Sequence, residues 1–234
     1  MTDVTVLNDG SGRDDIGGTI LIHSQIKKGD FASFLKAADR LKQILSNPLD
    51  PVPPIRVELD TPGGDVMEAV KIGRVIHERF MTTVVRPERE CDSACVFVLI
   101  AGAIKLPTDL AHVGLHRPRF DAEYFARLTP DQARVKYNSL IEYLKDYFVK
   151  EMGGSEEAFR LMLSTPSDSL RLLSAAEMDR LGLRGEDPAW DELINAKMIE
   201  RYGPIRWPLI KRCIGPSGDI AGCEKRVYEQ YPAN

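Results

Sequence analysis

The stretch that most limits what this chain can fold into is residues 55–64, IRVELDTPGG, together with the residues that follow it. Residues 55–59 read as a strand. From Val66, apolar or small side chains recur at Val66, Ala69, Val70, Gly73 and Ile76, the three-to-four spacing of one buried helix face. The order is therefore strand, glycine-rich turn, helix. Residues 19–23 (TILIH) and 84–85 predict further strands, and residues 110–116 alternate as a strand does. Strands alternating with helices predict an α/β fold with crossover connections.

The 234 residues are enough for one domain of good size with a small appendage, and a hydrophobic content of 43% supplies a core. A net charge of −4 provides no positive field for phosphate backbones, so no nucleic-acid partner is expected. The longest apolar run, residues 94–104, is 11 residues. A membrane helix needs about 20, so the run predicts a core segment and no transmembrane segment. The first residues have neither the basic start nor the apolar centre of a signal peptide. The expected location is cytoplasmic, or periplasmic if a leader has been trimmed.

Thr129-Pro130-Asp131-Gln132 combines an N-cap, a proline at the first helical position and a capping-box glutamine. The helix it opens runs for about 22 residues to Gly153-Gly154, longer than usual, and is expected to project or to carry a subunit contact. Ser155 opens a shorter helix through Leu163, and Ser174-Ala175-Ala176-Glu177 forms a second capping box. Composition shifts near Gly185. The expected division is a main domain over residues 1–184 and an extension over residues 185–234, packed on the body, with a helix at 189–202 and a Pro/Gly-rich remainder.

Several residues could carry chemistry. Gly63-Gly64 is either a tight turn needing positive φ or a pair of unhindered backbone N–H groups that stabilise developing negative charge. The phosphate-binding patterns GxGxxG and GK[ST] are absent. Ser93, in Cys91-Asp92-Ser93-Ala94-Cys95, is either a helix N-cap or a nucleophile. Cys91 and Cys95 are rival nucleophiles, packing residues or an oxidised pair. Of four histidines, His112 and His116 share a strand, where four residues span about 13 Å, too far to chelate one metal. No metal or organic cofactor is expected. His116 falls at a strand end from which it can reach a cleft, whereas His77 and His112 read as structural or surface residues. Cys213 and Cys223 flank a Gly/Pro-rich loop and are either a disulfide or two free thiols.

In this order the pieces resemble the ClpP-like serine peptidases of the ClpP/crotonase fold, especially envelope-type ClpP-related proteins. The resemblance covers roughly residues 19–183 and rests on LDTPGGDVMEA, CDSACVFVLIAGA, GLHRP and LSAAEMDRLGL. It implies an α/β fold of repeated β-β-α units with a projecting long helix, a peptide or protein substrate, and assembly into homo-oligomers. It also implies Ser93 as nucleophile, His116 as general base, and the N–H groups of Gly64 and Ala94 as oxyanion hole. The spacings, 29 residues from Gly64 to Ser93 and 23 from Ser93 to His116, are similar to the family's. One part departs. The family's acid position falls on Leu170, and Asp168, two residues away, is the candidate third residue; a hydroxyl or backbone carbonyl could orient the histidine instead. Related signal-peptide peptidases use a lysine base, for which Lys71 and Lys105 are available. Two alternatives keep the fold with another role: a non-catalytic peptide-binding or assembly module, and a crotonase-type acyl-CoA enzyme.

Overall fold

The protein is described here by a computed structural model covering residues 3–8, 18–45, 55–119, 122–214 and 220–231. The leader-peptide expectation and most of the loop between Cys213 and Cys223 lie outside these residues. Two compact units divide the chain at residues 1–187 and 188–234. Each is described by itself.

The first unit is α/β. Its main sheet has the order β1-β2-β3-β4-β6-β9, built from β1 (Asp3–Asn8), β2 (Gly18–His23), β3 (Ile55–Asp60), β4 (Thr82–Val85), β6 (Ile104–Pro107) and β9 (Gly185–Glu186). Strands β2, β3, β4 and β6 are parallel, and β1 and β9 are antiparallel edges. Parallel strands covered by helices bury both faces. Accordingly Ile20, Ile22, Val57 and Leu59 are all within 1% of full burial. Helix α1 (Asp30–Leu45) joins β2 to β3 and buries Phe34, Ala38 and Leu41, one stripe at helical spacing. Helix α2 (Val66–Glu78) joins β3 to β4 and buries the face predicted from its sequence. Asp65 caps it, its Oδ1 accepting from Met67 N–H and Glu68 N–H at 2.9 and 3.0 Å.

A second sheet, β5-β7-β8, consists of β5 (Glu90–Asp92), β7 (His112–Leu115) and β8 (Arg171–Leu172). Between β5 and β6 lies the short helix α3 (Cys95–Leu99), fully buried, which absorbs most of the apolar run. After α4 (Ala122–Ala126), the capping box at Thr129 and Gln132 starts α5 (Pro130–Lys145). The helix passes into a π-helical turn, Asp146–Glu151, so the expected length is kept while the winding changes. That turn seats Tyr147, whose Oη donates to Phe97 O of α3 at 2.7 Å. Helices α6 (Glu156–Ser164) and α7 (Ala175–Arg180) follow, the latter opened by the Ser174/Glu177 capping box.

The second unit contains α8 (Pro188–Ile214), broken at Gly203 (φ 82°), and α9 (Ile220–Gln230). The segment after Tyr202, expected as an irregular remainder, is therefore largely helical. Tyr202, Trp207, Ile210, Cys223 and Val227 form its core, and Cys213 and Cys223 are joined by a disulfide. No described helix is long and apolar enough to cross a membrane.

Candidate active site

Three strand ends converge to make the site. Thr61, just past β3, bridges Cys91 of β5 in parallel, with Thr61 N–H donating to Glu90 O at 2.8 Å and Asp92 N–H to Thr61 O at 3.1 Å. Strand β5 in turn pairs in parallel with β7. The carboxyl ends of β3, β5 and β7 thus lie side by side and carry Gly63-Gly64, Ser93 and His116 respectively. Loops at the carboxyl ends of parallel strands are where α/β sheets hold ligands.

The glycine pair is needed for close approach. Gly63 has φ 91°, and a Cβ there would come within 2.5 Å of Asp92 O and 2.8 Å of Ala94 N. Gly64 has φ 140°, and a Cβ would meet Ile26 O at 2.1 Å. Ile26 N–H donates to Gly63 O at 2.7 Å and Asp65 N–H donates to Ile26 O at 2.9 Å. Gly64 is thereby fixed from both sides while, among the described residues, its own N–H has no acceptor. The tight-turn and N–H-donor readings of this dipeptide are therefore compatible.

Ser93 sits between β5 and α3 with φ 57°, a left-handed conformation that costs a non-glycine residue about 1–2 kcal/mol. Its N–H donates to Gly114 O at 2.9 Å and its carbonyl accepts from Val96 N–H at 3.1 Å. Its side chain caps no helix. The next residue, Ala94, is 2% exposed, and among the described residues its N–H has no acceptor either. Cys91 and Cys95, on either side of the turn, are bonded to each other and fully buried. Neither is a free thiol.

His116 follows β7. Its Nδ1 lies 2.9 Å from Arg117 O. A carbonyl can only accept, so Nδ1 carries a proton, and in the neutral ring the lone pair is then on Nε2, the tautomer a general base needs. The loop bearing the ring is itself pinned: Arg117 N–H and Nε donate to Thr165 O and Leu163 O, each at 2.9 Å, and Arg119 Nε donates to Ser167 O at 2.7 Å.

Gly64, Ser93, Ala94 and His116 all line one cleft of about 390 Å³, within the roughly 300–1,000 Å³ typical of ligand sites. Pro62, Val66, Phe97 and Pro118 give it apolar walls, and Gln25, Arg119 and Ser167 add polar groups. Among the described residues no hydrogen bond joins Ser93 Oγ to His116.

The remaining candidates are not among the residues that line the cleft. Asp168 is exposed and accepts from Ser169 Oγ at 3.3 Å, and the ring nitrogen it was expected to hold faces Arg117 O instead. Gly114 and Leu115 pair with Leu172 and Arg171, and the aliphatic side chain of Leu170 packs against Gly114, where a Cβ would come within 2.6 Å of its Cδ1. Lys71 is paired with Glu68 at 2.7 Å, a hydrogen bond that raises its pKa and makes it a poor base. Lys105, whose pKa is lowered by burial, belongs to β6 and does not line the cleft. His77 lies 3.9 Å from Asp187, and His112 is exposed on β7.

One charged group that sequence reasoning passed over is Asp92. Its carboxyl occupies the space left by the missing side chain of Gly114, where a Cβ would come within 2.3 Å of Oδ1. Burial, helped by the charge of Glu90, pushes its pKa up to about 6. Oδ1 has no hydrogen-bond partner among the described residues. The only sequence signal was an aspartate between two cysteines, just ahead of the chain's longest apolar run.

Compared with known proteins, the chain matches no protein-family model and no curated protein sequence.

Proposed function

We propose that this chain is a serine hydrolase of the ClpP-like kind, cleaving peptide bonds by acyl transfer. The observation that carries the reading is that one cleft is lined by a serine, a histidine whose Nδ1 faces a carbonyl, and two residues, Gly64 and Ala94, whose backbone N–H groups have no acceptor among the described residues. Ser93 Oγ attacks the scissile carbonyl while His116 Nε2 takes its proton. The N–H groups of Gly64 and Ala94 hold the oxyanion, a contribution of about 3–4 kcal/mol per donor in enzymes of this type. His116 then returns the proton to the leaving amine, and a water repeats the sequence to release the acyl group. The Arg117 carbonyl takes the orienting place of a third carboxylate, so the machinery is a dyad held by backbone. In this reading the first unit has the ClpP/crotonase fold and the chain assembles with copies of itself. Helix α5, which leaves Val135 63% exposed, is the contact element.

A set of fluorogenic peptides tests the reading. Wild-type turnover that is lost in Ser93→Ala, with the far-ultraviolet spectrum unchanged, supports it. Turnover that survives in Ser93→Ala removes the acyl-enzyme step. The unmade Ser93–His116 hydrogen bond favours one second reading, a peptide-binding module without catalysis. That module would bind the same peptides with wild-type affinity and release no product.

A further inference from the structure

The Cys91–Cys95 disulfide encloses Ser93. Its ends are four positions apart in sequence, the Cα atoms are 5.1 Å apart, and the ring it closes contains both Ser93 and Ala94. Cys91 belongs to β5, is bridged to Thr61 and so is tied to the glycine turn; Cys95 is the first residue of α3. We infer that this disulfide is a positioning brace for the Ser93 turn and that hydrolysis proceeds only while the bond is closed. The inference rests on the acyl-transfer reading given above.

Three observations carry it. Ser93 is held at φ 57°, a conformation that an unconstrained serine leaves readily. Helix α3 has only five residues, too few to hold the turn by its own hydrogen bonds. The bond restrains two groups that acyl transfer must place within a few tenths of an ångström, the Ser93 hydroxyl and the Ala94 N–H. The other restraints are single non-covalent contacts: Ser93 N–H to Gly114 O, Val96 N–H to Ser93 O, Phe97 N–H to Ala94 O, and the close packing of Gly63 against Asp92 O and Ala94 N. The disulfide adds a covalent tie between the two ends of the turn, residues 91 and 95.

Both sulfurs are fully buried, so a solvent thiol reaches them only through local opening, and the brace is set at folding rather than toggled quickly. A dithiol such as dithiothreitol opens it by thiolate attack on one cysteine sulfur. The S–S bond breaks, a mixed disulfide forms, and the reductant's second thiol resolves it. Two electrons and two protons pass to Cys91 and Cys95, and the reductant leaves as its cyclic disulfide.

Cleavage after Arg89 and Lys105 releases a single peptide, residues 90–105, that contains Cys91, Ser93 and Cys95. Wild-type protein is incubated with graded dithiothreitol, pulsed with a fluorophosphonate, alkylated and digested. The mass of this peptide then reports bond state and Ser93 labelling in the same molecule. The expected result is probe on the closed form and at least tenfold less on the alkylated form. A Cys91→Ala/Cys95→Ala chain should label at least tenfold more slowly, and on a turnover substrate should lose kcat with KM unchanged. If that variant does not fold, the graded reduction of wild type decides. Equal labelling of closed and alkylated peptides overturns the inference alone. A closed wild-type peptide without probe overturns the hydrolase reading, and the brace with it.

Discussion

Asp92 shows how a neighbour's missing side chain can set a residue's chemistry. Its carboxyl fills the space at Gly114, and burial raises its pKa from an ordinary 3.8 to about 6. Between about pH 4 and 6 the unfolded chain has lost this proton while the folded chain keeps it, so stability falls as pH rises through that window, by at most about 3 kcal/mol. Asp92→Asn should abolish that part of the slope. Urea midpoints at pH 4.5 and 7.5 should converge in the variant; an unchanged difference would assign the slope to other groups. At His116, the orienting group is the carbonyl of Arg117, and no side-chain pattern in a sequence announces a backbone acceptor. That is why Asp168 was the natural choice from sequence and why the ring does not use it. Asp168→Ala should change the fluorophosphonate labelling rate by less than about twofold, whereas His116→Ala should lower it by about 10²–10⁴, the usual contribution of a general base. A large loss in Asp168→Ala would restore the carboxylate to the machinery.

Among elements, those legible in the sequence were the ones specified by local chemistry. The capping boxes at Thr129/Gln132 and Ser174/Glu177 are short-range devices and form as read. The strand–turn–helix at residues 55–78 was legible because apolar spacing and the Gly pair agree. Helix α1 was not picked out, although Phe34, Ala38 and Leu41 form its buried stripe. In the tail the helix over residues 189–202 was legible, whereas the helical segments after it were hidden by prolines and glycines that read as breakers; Gly203 does break α8, but Pro204 follows at a position where a helix can restart. Close packing between elements was not legible at all. Gly73 of α2 faces Tyr147 of the π-turn so closely that a Cβ would come within 1.7 Å of Oη, the group that holds Phe97 O of α3. Gly73→Ala should therefore cost about 1–3 kcal/mol, the range for overpacking a filled core. A denaturant midpoint equal to that of wild type would mean that Tyr147 moves aside without loss.

The whole molecule is two units with separate cores, and the smaller is stapled by Cys213–Cys223. Closing so short a loop removes chain entropy from the unfolded state equivalent to about 3 kcal/mol. Cys213→Ala/Cys223→Ala should therefore lower the stability of residues 188–234 by about that much while sparing the core of the first unit. Amide exchange followed by mass spectrometry distinguishes a loss confined to α8 and α9 from a loss spread over both units, and the latter would show that the two unfold together. The proposed hydrolysis needs a strand-end serine and a backbone-held histidine of the first unit to act together. Treating the protein with a fluorophosphonate and locating the adduct decides whether they do. One adduct per chain is expected on Ser93, absent in Ser93→Ala and slowed at least a hundredfold in His116→Ala. A chain left unmodified, or modified at another serine, would contradict it.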